Sequence, residues 1–354
     1  MSGSPRERLA PAAFDIPEEA IRSGRYTDSY FVRARQILLR DENHPNVTMQ
    51  IFQRNQAIIC GTDEAIATIR RCTDNADRIE IKSLFDGDEA SPYETVMAIE
   101  GDYAGFAHLE TIYLGILARR TKIATNTRRT VNAANGKPVL FFGARFDHFL
   151  NQQGDGYAAH IGGAQAVSTD AQGEIIGQKG AGTIPHGLIA AYAGDTALAT
   201  QKFAEIIPEE TRVISLVDFD NDCVSTALAV AKRLGSRLWG VRLDTSGTIV
   251  DRSVIPLMGE YYPTGVNEIL VHNVRDALDR EGFGHVKIVA SGGFNPERIA
   301  RFEANGVPVD AYGVGSYIMS GSFHYTADVV LVDGRHCAKV GRKFKPNPRL
   351  RPVE

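Results

Sequence analysis

Apolar positions in the second half of the chain follow two alternating rhythms. Short apolar runs at Pro138–Gly143, Arg212–Asp218, Arg237–Asp244, Val286–Ala290 and Val309–Val314 read as strands. The segments between them carry helical spacing. In Asp222–Leu234, residues Val224, Ala227, Leu228, Ala231 and Leu234 share one face, with Asp222, Ser225, Lys232 and Arg233 opposite, and Gly235 ends the pattern. Asn267–Glu281 places Ile269, Leu270, Val274 and Leu278 in the same way. Asn295–Asn305 has Asn295 as N-cap, Pro296 in the first turn and Gly306 as stop. Strands that alternate with helices need a parallel sheet with crossovers, so residues 130–322 are expected to form an irregular (β/α) barrel. Residues 1–129 mix helical patterns with short strands in no barrel-like order. They are expected to form an N-terminal α+β domain, completed by 323–354, with the first twenty or so residues poorly ordered. The expected fold class is α/β.

Composition narrows the function. A chain of 354 residues with 43% hydrophobic and 23% charged residues can bury a sizeable core. Its net charge of −4 supplies no basic field for nucleic acid, so a DNA- or RNA-binding module is disfavoured. No apolar run approaches the roughly 20 residues that span a bilayer, and the N-terminus lacks the apolar core of a secretion signal. A cytoplasmic protein with no membrane partner is expected. Cys60, Cys72, Cys223 and Cys337 are scattered without CxxC spacing, which suits reduced thiols and predicts no structural metal.

The chemistry collects at strand ends. Two glycine turns, Ser291-Gly292-Gly293 and Gly313-Val314-Gly315-Ser316, close successive strands, where backbone N–H groups can approach an anion. The amides of Gly292, Gly293, Val314 and Gly315 are expected to hold a phosphate. The side-chain period of two points Arg242 and Asp244 to one side, with Asp218 at the end of the preceding strand. A guanidinium there grips phosphate, and a carboxylate holds hydroxyls or a magnesium-bound water; a salt bridge that only closes the barrel is the plain alternative. In Gly182-Thr183-Ile184-Pro185-His186-Gly187, His186 falls at a helix start, where a neutral imidazole is a competent nucleophile. Phe142 offers a ring for stacking, and Arg145 a fork for a carboxylate.

Together with Gly24-Arg25-Tyr26-Thr27-Asp28-Ser29-Tyr30 near the start and the stretch Glu94–Leu117, these motifs resemble the nicotinate phosphoribosyltransferase family. That family stands among the type II phosphoribosyltransferases, beside the nicotinamide and quinolinate enzymes. The resemblance implies that nicotinate and phosphoribosyl pyrophosphate give nicotinate mononucleotide and pyrophosphate, assisted by ATP, with magnesium on the pyrophosphate. It makes His186 the histidine that ATP phosphorylates, Asp218 the carboxylate beside it, and Thr183 part of the same loop. Arg242 and Asp244 lie on the ribose- and phosphate-binding strand. Phe142 and Arg145 fall at the base, and Tyr30 resembles a tyrosine lent across a homodimer, or higher oligomer, with shared sites. Two departures bear on the base: Gln165 stands where many relatives carry an acid, and Phe146 where several have a second arginine.

Three rivals remain open. A quinolinate or nicotinamide enzyme would differ in ATP dependence and pocket charge. A non-catalytic phosphoribosyl-binding paralogue would not need Arg242, Asp244, Asp218 and His186 together. A barrel aldolase or isomerase would need a strand-end lysine, which the pattern does not offer.

Overall fold

The computed structural model describes residues 6–208, 211–260 and 263–353. The predicted apolar runs become parallel strands β1 (Val139–Phe141), β3 (Val213–Leu216), β4 (Leu238–Leu243), β5 (Lys287–Ala290) and β6 (Ala311–Val314). They are joined by a two-residue β2 (Ala166–Val167) that the pattern did not announce. The order β2-β1-β6-β5-β4-β3 makes a curled, barrel-like sheet with β2 and β3 at its edges. Irregular backbone spans those edges: Ala181 N–H donates to Val167 O (2.7 Å) and Ile184 N–H to Ile214 O (3.3 Å). Capturing edge groups in this way removes the exposed strand edges that an open sheet would present.

The helices sit where their caps put them. Asp222, Asn267 and Asn295 accept from the amides of Ser225 (3.2 Å), Leu270 (3.0 Å) and Arg298 (2.8 Å). The helices Cys223–Leu234, Glu268–Arg280 and Pro296–Ala304 begin one residue later in each case. Leu140, Ile214, Val289 and Ala311 cluster with Trp239 inside the sheet. Two residues further along each strand direction come Phe142, Leu216, Ser291 and Gly313, which line a pocket. The period of two puts both sets on one face, so the apolar layer is the floor on which the pocket stands.

The chain divides into two compact units: one holds residues up to Asn126, Tyr157–Gly162 and the chain from Gly321, the other Thr127–Gly156 and Gly163–Ser320. Tyr157–Gly162 is the later half of the helix Gln152–Gly162, a return of the chain that the sequence pattern did not show. In the first unit an antiparallel sheet runs in the order 335–336, 325–332, 46–53, 95–102, 80–83, 351–352. Three of those six strands come from the C-terminal segment.

The expectation of a poorly ordered start needs correction from residue 6 onward; residues 1–5 lie outside the described residues. Arg8 pairs with Asp63 at 2.7 Å and donates to the carbonyls of Ser83 and Leu84, while Leu9 N–H donates to Asp63 (2.9 Å). Phe14 and Ile16 are buried. Partners 54 to 76 positions away hold this segment, and no local pattern reveals them.

Candidate active site

The pocket, about 500 Å³, opens at the C-terminal ends of the parallel strands, where barrel folds place their chemistry. Arg242, projecting from β4, organises one wall. Its Nε donates to Ser291 Oγ (2.8 Å), Nη1 to Thr183 Oγ1 (3.2 Å), and Nη2 lies 3.1 Å from Asp244 Oδ2. Ser291 Oγ is in turn 2.7 Å from Asp244 Oδ1. The guanidinium stands 4.9 Å from the centre of the Phe142 ring, within cation–π range. Arg242 thus ties together the strand end, the first glycine turn and the loop that leads to His186.

His186 is the first residue of the helix His186–Ala191. Beneath this loop Ile184, Ile189 and Leu216 form an apolar cluster, against which Phe219 packs. His186 Nε2 lies 3.0 Å from Asp218 Oδ1; the carboxylate side chain is 8% exposed and the imidazole 43%. Burial pushes the Asp218 carboxyl above the usual carboxylate range; the bond to His186 opposes this, and the charge of Asp244 adds to it. Asp218 is therefore a buried carboxylate behind a half-open imidazole. It does not itself line the pocket.

The two glycine turns differ in structure. Gly292 and Gly293 have φ of +86° and +74°, a region that side chains disfavour. Among the described residues their amides donate to no backbone carbonyl, and Arg298 braces the turn from behind by donating to Gly292 O (3.0 Å). Gly313 and Gly315 are instead demanded by space. A Cβ on Gly313 would lie 2.4 Å from the Phe142 ring, and one on Gly315 2.4 Å from Phe142 O.

Of the sequence-predicted residues, His186, Thr183, Arg242, Asp244, Phe142, Arg145, Ser291, Gly292, Gly293, Gly313, Gly315 and Ser316 line this one pocket. Three do not. Val314 is a buried residue of β6, paired in register with Phe141, so it belongs to the sheet ladder rather than the cradle. Gln165 sits at the opposite end of its strand: its Oε1 accepts from Val139 N–H (2.7 Å) where β1 begins. That geometry removes Gln165 from any base held at the mouth. Tyr30 lies on the helix Ser29–Arg40 of the first unit, 60% exposed, and is not part of the pocket lining.

Sequence reasoning gave no role to Ser168, Leu216 and Pro185, which also line the pocket. Leu216 was recoverable from the period of two before Asp218, whereas a two-residue β2 gives Ser168 no signal. Among the described residues Arg145 has no carboxylate partner; its guanidinium lies 5.7 Å from the Phe146 ring centre.

Residues 28–121 match the model of the quinolinate phosphoribosyl transferase N-terminal domain. A nicotinate phosphoribosyltransferase of Mycobacterium tuberculosis is 27% identical over 89% of this chain and 73% of its own length. One from Bacillus subtilis is 28% identical over 67% of this chain and 45% of its own. The crystal structure of nicotinate-nucleotide pyrophosphorylase from Pyrococcus furiosus superposes with a TM-score of 0.81 at 31% identity, over 96% of this chain and 85% of that one. Human nicotinic acid phosphoribosyltransferase, at 17% identity and a TM-score of 0.66, shares the fold. With its strand-end pocket in that fold, the chain belongs to the nicotinate phosphoribosyltransferase family, among the type II phosphoribosyltransferases, and is an enzyme of that type.

Proposed function

We propose that this phosphoribosyltransferase joins nicotinate to the ribosyl group of phosphoribosyl pyrophosphate, releasing pyrophosphate, with ATP hydrolysis coupled through His186. The observation that carries the reading is the Thr183–Arg242 hydrogen bond, which joins the His186 loop to the Arg242–Ser291–Asp244 network inside one pocket. The amides of Gly292 and Gly293 suit the 5′-phosphate of the donor. The pyridine nitrogen attacks the anomeric carbon as the bond to pyrophosphate breaks, and the protein contributes position and charge stabilisation.

Because Asp218 engages Nε2, the lone pair that attacks the γ-phosphorus of ATP belongs to Nδ1. The new N–P bond forms as the bond to ADP breaks, and Asp218 stabilises the ring that results. Among the described residues no group of three or more His, Cys, Asp or Glu side chains is arranged to hold a metal. Magnesium would enter as an ion carried by the pyrophosphate, whose charge it would neutralise, and Asp244 is the pocket carboxylate that would hold water bound to it.

Pocket charge favours nicotinate over quinolinate. Arg242 is already paired with Asp244, which leaves Arg145 as the guanidinium for a ring carboxylate. One available fork matches one carboxylate. The test is pyrophosphate release with nicotinate, nicotinamide and quinolinate, each with and without ATP. Turnover confined to nicotinate and raised by ATP is expected; equal use of quinolinate without ATP would overturn the reading.

The working unit is a homodimer, or a higher oligomer built on one, in which Tyr30 of one copy covers the base of the other. Tyr26, Tyr30, Ile37 and Leu39 are all exposed on or beside one helix that buries no residue of its own, as a surface awaiting a second copy would be. Mixing Tyr30→Ala with Asp244→Ala protein restores roughly a quarter of wild-type activity if subunits exchange freely. No recovery despite exchange would place Tyr30 elsewhere. Among the described residues no helix is long and apolar enough to cross a membrane, and cytoplasmic residence completes the proposal.

A further inference from the structure

We propose that Asp251 is a positioning residue that fixes the two site carboxylates, Asp218 and Asp244, relative to one another. The proposal rests on reading those carboxylates as working groups of the site. Asp251 is wholly buried and lies outside the pocket lining, yet its carboxylate joins two loops. Oδ2 accepts from Cys223 N–H (2.9 Å), and Oδ1 accepts from Ser253 N–H (2.9 Å) and Ser253 Oγ–H (2.7 Å).

Cys223 opens the helix Cys223–Leu234, so its amide is one of the donors that a helix start leaves without an internal partner. Asp222 caps the same helix by accepting from Ser225, and Asp251 completes that cap from another loop. Only residues 219–222 separate Cys223 from Asp218. They are pinned further by Asn221, in the left-handed region at φ +55°: its Nδ2 donates to Val250 O (2.6 Å), and its carbonyl accepts from Arg252 N–H (2.9 Å). Arg252 Nη1 also donates to Asp222 Oδ2 (3.1 Å), so residues 250–252 grip the turn that follows Asp218 through four hydrogen bonds.

The gripping loop itself starts where β4 ends. Thr245, directly after Asp244, is buried, and its hydroxyl lies 3.7 Å from Cys223 Sγ. The loop thus leaves the strand that presents Asp244 and returns onto the turn that presents Asp218. Burying a carboxylate is costly unless its oxygens are satisfied, and here the hydrogen bonds that satisfy it also set the spacing of the two strand ends.

Asp251→Asn keeps the size and one acceptor but sets an amide against donors. With nicotinate and phosphoribosyl pyrophosphate, kcat for pyrophosphate release is expected to fall roughly ten- to a hundredfold, with both KM values within about twofold of wild type. Independently of turnover, the ring-nitrogen NMR signal of His186 should move toward that of Asp218→Asn protein. Ser253→Ala, which keeps the charge and the Cys223 contact, should fall between wild type and Asp251→Asn on both readouts, and it carries the test if Asp251→Asn does not fold. A folded variant with wild-type kcat and an unmoved His186 signal would overturn the proposal and leave Asp251 a stabilising residue only. Wild-type protein inactive with nicotinate would count against the proposed function instead, and the NMR comparison would then decide the role of Asp251.

Discussion

The two glycine turns at the pocket mouth look alike in sequence and obey different constraints. At Gly292 and Gly293 the backbone itself requires glycine, since both residues adopt positive φ while the space around them is open enough for a methyl group. At Gly313 and Gly315 the backbone makes no such demand. The space there is filled by the Phe142 ring and carbonyl. One turn is glycine by its backbone conformation; the other is emptied so that the Phe142 ring and carbonyl can pack against it. A double glycine motif at a strand end therefore does not by itself mean a phosphate cradle.

This difference makes the turns separable. The largest effect is expected at Gly315→Ala, because the new Cβ meets the backbone of Phe142 at 2.4 Å and the Phe146 ring at 2.6 Å. Backbone cannot swing aside as a side-chain tip can, so a loss of about 1–3 kcal/mol should appear in denaturant unfolding. The KM for the base should rise more than that for the donor. Gly293→Ala should cost about 1–2 kcal/mol from its left-handed conformation, and its kinetic signature should invert: donor KM up, base KM close to wild type. If both variants raise the donor KM alike, the division of labour between the turns is wrong.

A smaller effect supplies a control in the first unit. His108 is buried, and burial pushes its pKa down to about 4 from an ordinary 6.5. A base whose folded pKa is depressed binds protons more readily when unfolded. Its contribution is thus intact above 6.5 and is lost progressively as pH falls toward 4. Asp86 and Glu110, both pushed up to about 7 chiefly by burial, act in the opposite sense, since acids with raised folded pKa favour the fold as pH drops below 7. The wild-type curve sums these, so the measurement is the difference between His108→Leu and wild type, which should grow in favour of the variant below 6.5. The deficits of the glycine variants are steric and should not change over that interval.

The helices and most barrel strands were legible because their signals are local. Asp222, Asn267 and Asn295 cap their helices within reach of their own sequence, and the period of two marked Arg242 and Asp244 as neighbours on one face. What stayed hidden depends on distant partners. Gln165 reads as a residue near the base until a two-residue strand shows which end of the sheet it occupies. Arg8 finds Asp63 across 55 positions, so a charged, proline-containing start that looks loose is held in place. Val314 reads as an amide donor because its neighbours are glycines, yet strand register commits it to β1. Asp251 carries no motif at all, and its importance comes from two loops meeting in space.

The central claim is that ATP acts through His186. Wild-type, His186→Ala and Asp218→Asn proteins incubated with γ-labelled ATP, then assayed for acid-labile protein-bound phosphate and for pyrophosphate release from nicotinate, test it most directly. The account predicts label on the wild type, none on His186→Ala and less on Asp218→Asn, with ATP stimulation lost in step with the label. Label retained by His186→Ala, or full ATP stimulation without any label, would contradict it.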